Sequence, residues 1–146
     1  MAGATARERV TARLVQLRGS YENFDIQQTT VSVSPETFAD ITGDEETVLA
    51  EVHVENGDGD RLLIDGPTGW HAPSTTVSTG QSLGETVRDT VARQTGVVPD
   101  IQALERAAIV ALGCEASDDE AYQLQLQFSA IPERGEPRSP AAWRSP

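Results

Sequence analysis

Between Gly69 and Val97 the chain reads GWHAPSTTVSTGQSLGETVRDTVARQTGV. Glycines, a tryptophan and a proline followed by a periodic segment ending in Thr-Gly form the layout of a loop and helix that handle phosphate. Chemistry on a phosphate in that setting uses either a divalent cation held by carboxylates or a fixed cation from the protein. Glu85 and Asp89 are four residues apart and share a helix face, so they are fallback metal ligands or catalytic acids. Arg93 and Gln94 follow one turn later, with Thr90 before them. A guanidinium repels a metal ion and accepts a phosphate oxygen in its place, while Gln94 offers only a neutral carbonyl. Trp70 supplies a wall on which a ring can stack. Asp118, Asp119 and Glu120 form a second acidic group, and Glu120 is the third fallback catalytic candidate.

The elements that must position these residues are legible from periodicity. Ser82 sits where an N-cap belongs, with Glu85 at the third position of a capping box. Leu83, Val87 and Val91 make the buried stripe, and Gly96 stops the helix. Glu85–Arg88 and Asp89–Arg93 are expected as exposed pairs on that helix, a structural alternative to any metal role. Upstream, Val48, Ala50, Val52 and Val54 alternate on one strand face, with His53 at opposite parity. NGDGD then reads as a hairpin turn returning as RLLID, since it lacks the closing Glu of a calcium loop. Gly66 to Trp70 reads as a loop, and Ser74 to Thr79 as a short strand. Ile101 to Cys114 reads as a long strand, bent or bulged. SDDE is a turn, and Tyr122, Leu124, Leu126 and Phe128 alternate with glutamines on a last strand.

Before this domain, Val10, Leu14 and Leu17 mark an amphipathic helix ending near Gly19; TTVSVS is a short strand, PETFADI a brief helix and GDEE a solvated linker. The organisation expected is an extension over residues 1–46, a domain over 47–131 and a proline-rich irregular tail over 132–146. Strands outnumber helices and the order is mixed, which gives an α+β class.

Composition narrows the function classes. The chain carries 23 acidic residues against 11 basic ones, a net charge of −12, and every basic residue is arginine. An acidic, lysine-free surface stays hydrated where salt screens charge, which predicts a halophilic, soluble protein of a high-salt cytoplasm. No arginine cluster supplies the basic face that nucleic acid needs. No stretch has membrane-spanning length and the N-terminus is charged, so neither a membrane partner nor a signal peptide is expected. The single cysteine, Cys114, follows AAIVALG and reads as a core thiol. His53 and His71 have no partner at metal spacing, and there is no dinucleotide fingerprint, zinc spacing or Ser-His-Asp order.

Taken together, these residues resemble the Nudix hydrolase superfamily. Trp70 and Pro73 sit at the spacing of the family's Trp-x-Leu-Pro-Gly-Gly, Gly80, Ser82 and Leu83 fall where its Gly-Glu-Ser-Leu falls, and Thr95-Gly96-Val97 closes the helix as the family does. The strands in AEVHVENGDGDRLLIDGPTGW are similar to its first hairpin, and the segment ending in TTVSVSPETF is similar to an extension of halophilic members. The resemblance covers Thr47 to Ile131 and implies a mixed sheet sandwiched by helices. The departures are systematic. The family's paired glycines are Ser74 and Thr75, its loop carboxylate is Ser78, and the glutamate after its glycine is Gln81. Its helix arginine is Asp89, the adjoining glutamate is Thr90, and the metal-binding glutamates are Arg93 and Gln94.

Family chemistry, attack of water on a diphosphate, relies on magnesium or manganese held by those carboxylates. Their loss implies a degenerate catalytic box with no catalytic residue, metal or cofactor. A nucleotide or other diphosphate would then be held by Trp70, Gln81, Arg93 and Gln94, in a binding or regulatory module. Two alternatives stand beside that reading. One is a divergent metal-dependent diphosphate hydrolase using Glu85, Asp89 or Glu120. The other is an interaction subunit, a homodimer or a protein partner, docking through a face bared where the family's closing helix after Trp143 would lie.

Overall fold

A computed structural model describes residues 6–21, 24–32, 34, 47–78, 81–114 and 117–145. The first element, α1 (Ala6–Ser20), buries Leu14 and Leu17 as the periodicity requires. The strand that follows, β1 (Asp25–Ser32), begins earlier than the TTVSVS alternation suggests. It is held by parallel pairing rather than by a buried face, so no apolar pattern marks its start. The expected PETFADI helix and GDEE linker lie outside the described residues.

The alternation of Val48, Ala50, Val52 and Val54 forms β2 (Thr47–Val54), with all four side chains buried. NGDGD is a turn, as expected. The Asn56 side-chain oxygen accepts the amides of Asp58 at 2.9 Å and Asp60 at 3.0 Å, and Gly59 takes a positive φ of 84°. The return strand β3 (Arg61–Gly66), however, does not form a hairpin with β2. After one bridge, Glu55 to Arg61, the two strands part into different sheets, because both edges of β2 are taken by other strands. The expected loop from Gly66 to Trp70 is instead a tight turn into β4 (Gly69–His71), which pairs back on β3. The next strand, β5 (Ser74–Ser78), is the short strand expected there, and it lies antiparallel to β2.

Helix α2 (Leu83–Thr95) buries Val87 and Val91 and ends at Gly96 with φ 87°. Two long strands follow, β6 (Val97–Cys114) and β7 (Ser117–Gly135). Bulges in β6 resolve its irregular pattern. The shift between Leu104 and Arg106 brings Leu104, Ala107 and Ile109 opposite Phe128, Leu126 and Leu124, onto one face. SDDE is not a turn, since β7 already starts at Ser117 and pairs Glu120 with Gly113. The tail is likewise not irregular. Residues 132–135 extend β7, and β8 (Ala141–Arg144) pairs antiparallel with β3, with Ala141 buried and Trp143 packed on the core. Pairing with a strand freed from its hairpin outweighs the proline-rich composition.

The architecture is α+β. A five-stranded sheet runs β1-β6-β7-β2-β5, and a three-stranded sheet runs β4-β3-β8. In the larger sheet, Val48, Ala50, Val52 and Val54 lie opposite Leu124, Leu126, Phe128 and Ala130, so two parallel strands merge their apolar faces. Helix α1 packs on β7, and α2 on β6 and β5. Among the described residues no helix is long and apolar enough to cross a membrane.

Candidate functional site

The loop and helix of the phosphate-handling layout are held by amide side chains. The Ser82 backbone is extended, with φ −69° and ψ 119°, and its carbonyl accepts the Thr86 amide at 2.9 Å. Its hydroxyl makes no cap bond, so the expected capping box with Glu85 does not form. Gln81 fastens the approach to the helix instead. Its side-chain oxygen accepts the Ser78 backbone amide at 2.8 Å, and its backbone amide donates to the Ser78 carbonyl at 3.1 Å. Gly80 lies outside the described residues.

Neither expected acid–base pair on the helix forms. Arg88 reaches across to Glu133, which the extension of β7 brings within range. Arg93 donates to the backbone carbonyl of Asp89 at 3.4 Å and to Thr90 Oγ1 at 3.5 Å rather than to the Asp89 carboxylate. Gln94 donates its side-chain amide to the Ser74 carbonyl at 3.1 Å. Gln81 and Gln94 therefore tie down the two ends of β5, occupying the surface where the resemblance implies carboxylates. Glu85 and Asp89 are exposed on the same helix. The side chains of Asp118, Asp119 and Glu120 lie outside the described residues, as does that of Cys114. Among the described residues no three of His, Cys, Asp and Glu converge as a metal site would require.

Trp70 stands apart from Gln81, Arg93 and Gln94. It lies on β4 and contributes to a cavity of about 180 Å³ lined by Glu51, His53, Arg61, Leu62, His71 and their neighbours. The cavity lies where β2 and β3 part after their single bridge, between Glu51 and His53 of β2 and the β3 and β4 residues Arg61, Leu62, Trp70 and His71. His53 has the parity read from the sequence. It turns away from the buried valines, with its Nε2 2.5 Å from Glu51 Oε1 and its Nδ1 3.5 Å from Gln127 Nε2. Trp70 is 39% exposed, and the Arg144 guanidinium lies over its ring at 4.3 Å from the centroid.

Sequence reasoning did not single out Glu51, Arg61 or Arg144 for this site. The parity that placed His53 places Glu51 too, two residues away on the same face. Arg144 carries no such signal, because its position depends on β8 pairing with β3 across the whole chain.

Known structures share this architecture. A mutator MutT protein from Bacillus halodurans superposes with a TM-score of 0.55 and 23% identity, covering 68% of each chain. A NUDIX hydrolase from Nitrosomonas europaea gives a TM-score of 0.50 and 21% identity, over 69% of this chain and 73% of that one. No family model and no curated protein matches the sequence. The fold is the Nudix fold.

Proposed function

We propose that this chain is a Nudix-fold binding or regulatory module that takes a nucleotide or another small molecule bearing a diphosphate and leaves it intact. One observation carries the proposal. At the turn of α2 where a metal would be gathered stand Arg93 and Gln94, and both are occupied with the protein's own backbone, at Asp89 and Ser74. A cation brought there meets a guanidinium and a neutral amide, and neither offers the anionic oxygens that magnesium or manganese requires. The Trp70 cavity supports a ligand role. It combines an indole face, two imidazoles, one of them paired with Glu51, and the Arg61 guanidinium, so that a ring can stack on the indole with its anion at Arg61. The lysine-free surface and net charge of −12 fit a halophilic cytoplasm, so the protein is best assayed in molar potassium chloride.

Calorimetry with manganese and magnesium, with and without ADP-ribose, tests the proposal. The expected result is no saturable metal heat, no hydrolysis, and metal-independent heat with ADP-ribose. Saturable binding of metal that is lost in Glu85→Gln or Asp89→Asn would overturn it. That outcome would favour the divergent hydrolase, for which the exposed Glu85 and Asp89 are the available acids.

The cation over Trp70 yields a further expectation. A ligand ring stacking on the exposed indole face must displace the Arg144 guanidinium, an interaction worth about 0.5–1 kcal/mol at an exposed site. Arg144→Ala should therefore tighten binding by about two- to fivefold, and Trp70→Ala should weaken it by tenfold or more, at about 1.4 kcal/mol per decade. Fluorescence titration of Trp143 in the Trp70→Ala protein and of both tryptophans in Arg144→Ala would read these changes. Equal affinities in all three proteins would remove Trp70 from the site.

A further inference from the structure

We infer that β1 is a self-pairing edge through which two copies of this chain join their five-stranded sheets, antiparallel, into one continuous sheet. The strand ends the sheet order, with β6 on one side and no described strand on the other. It pairs with β6 over eight consecutive residues, Asp25 to Ser32, without a register shift, so its outer edge is regular. Residues Asp25 to Thr30 are all exposed. Since successive residues of a strand face opposite sides of a sheet, both faces of β1 are exposed from Asp25 to Thr30, and among the described residues no strand covers its outer edge.

The opposite edge of the same sheet is guarded. On β5, which is shorter, the Ser78 amide is bonded by Gln81 and the Ser74 carbonyl by Gln94, and α2 packs beside it. On β1, among the described residues, no side chain bonds the backbone. Devices that blunt an edge are charges along it, proline or a bulge. The run Ile26 to Ser34, IQQTTVSVS, has none of the first two, and the β1–β6 register has no bulge.

Charge argues for a second copy as the occupant. Nearly a quarter of the chain is charged, 23%, yet nine consecutive residues from Ile26 carry no charge. Two molecules at −12 each repel over most approaches, and this neutral segment is where their backbones can meet. Antiparallel pairing about a twofold axis normal to the sheet sets one central residue opposite its own copy; centred on Gln28, it places Gln27 opposite Thr29 and Ile26 opposite Thr30, so that amide and hydroxyl side chains meet on one face. Asp25 falls toward the outer ends, opposite Val31 rather than another acid. Screening the remaining repulsion strengthens the pair, so dimerisation should increase with potassium chloride.

Sedimentation equilibrium of the full chain from micromolar to millimolar concentration should show a monomer–dimer equilibrium that shifts toward dimer with salt. Thr29→Pro should return the monomer while leaving the far-ultraviolet dichroism unchanged. Single cysteines placed along β1 in a Cys114→Ser background test the pairing without disturbing the fold. Oxidation should cross-link Gln28→Cys most efficiently and fade toward Asp25 and Ser32, because only the residue at the axis lies directly opposite its own copy and within disulfide reach. A monomer at every concentration and salt would overturn the inference. So would a dimer whose cross-linking is flat along β1. Should Thr29→Pro misfold, the cysteine series decides alone.

Discussion

Gly135→Ala should cost at least about 3 kcal/mol of stability, combining left-handed strain with the overpacking of a site that has no room. Gly135 ends β7 with φ 93°, and Gly96 ends α2 with φ 87°. The two glycines meet where the helix turns into β6. A Cβ on Gly135 would be driven into the carbonyl oxygen of Gly96 and would lie 3.3 Å from Val97 Cα. These are backbone atoms of a strand in register, Val97 opposite Gly135, and they cannot swing aside as a flexible side chain would. Gly96→Ala meets a similar obstacle, the Glu136 carbonyl oxygen at 2.7 Å. Gly57→Ala is the control. A Cβ there meets nothing within 4 Å, so its effect should stay within about 0.5 kcal/mol. Guanidinium denaturation in molar salt measures all three, and a Gly135→Ala loss no larger than that of Gly57→Ala would contradict the close crossing. The crossing also bears on the candidate site. Arg138, just beyond Gly135, donates its amide to the Thr95 carbonyl at 2.7 Å and its guanidinium to the Arg93 carbonyl at 2.9 Å. It thereby satisfies the last carbonyls of α2 and places a cation at the negative end of the helix. Displacing the crossing should move Arg93 and Gln94 together with the helix end that carries them.

How far the sequence revealed this arrangement depended on how local the determining interaction was. The valines of β2, the stripe of α2 and its glycine stop obey periods and caps that act within a few residues, and all were legible. The capping box was also a local pattern, yet it failed, because nothing in the spacing of Ser82 and Glu85 shows that Gln81 fastens the loop to Ser78. Longer-range competition misled more seriously. NGDGD is a sound turn signal, but β2 finds better edges in β7 and β5, and so its hairpin with β3 ends at one bridge. That divergence freed β3 to recruit the tail as β8, which no composition rule for a proline-rich segment anticipates. It also opened the cavity at Trp70 and set Arg144 over the indole. Of the proposed ligand residues, Arg93 and Gln94 belong to the helix surface, Gln81 to the loop that leads into it, and Trp70 to the cavity. The sequence joined them by family spacing, while the sheet topology separates them.

Phe128→Ala should destabilise the fold by about 3–5 kcal/mol, the range for emptying a fully buried aromatic site. Phe128 is 1% exposed and sits where both halves of the core meet: Val52 opposite on β2, Leu104 opposite on β6, and the Tyr21 ring against it at 5.6 Å between centroids in an edge-to-face arrangement. That last contact ties the end of α1 to β7, so the N-terminal segment is joined to the domain by more than Leu14 and Leu17. A double-mutant cycle with Tyr21→Ala should return a coupling of about 0.5–1.5 kcal/mol, as edge-to-face pairs do beyond their burial. Additive losses would mean that α1 docks without the ring contact. The same contact makes stability depend on alkali. Burial raises the Tyr21 phenol above its ordinary pKa, because the phenolate is poorly solvated there. The folded state thus holds that proton more tightly than the unfolded chain, and its contribution is fully present below the unfolded tyrosine pKa of about 10. It is lost as pH rises from there through the folded value. Tyr21→Phe retains the ring and removes the proton, so its denaturation midpoint should fall less steeply above that pH than that of the unmodified chain. Parallel curves for the two proteins would show that Tyr21 remains solvated in the folded state, and that α1 leaves β7 open to water at this point.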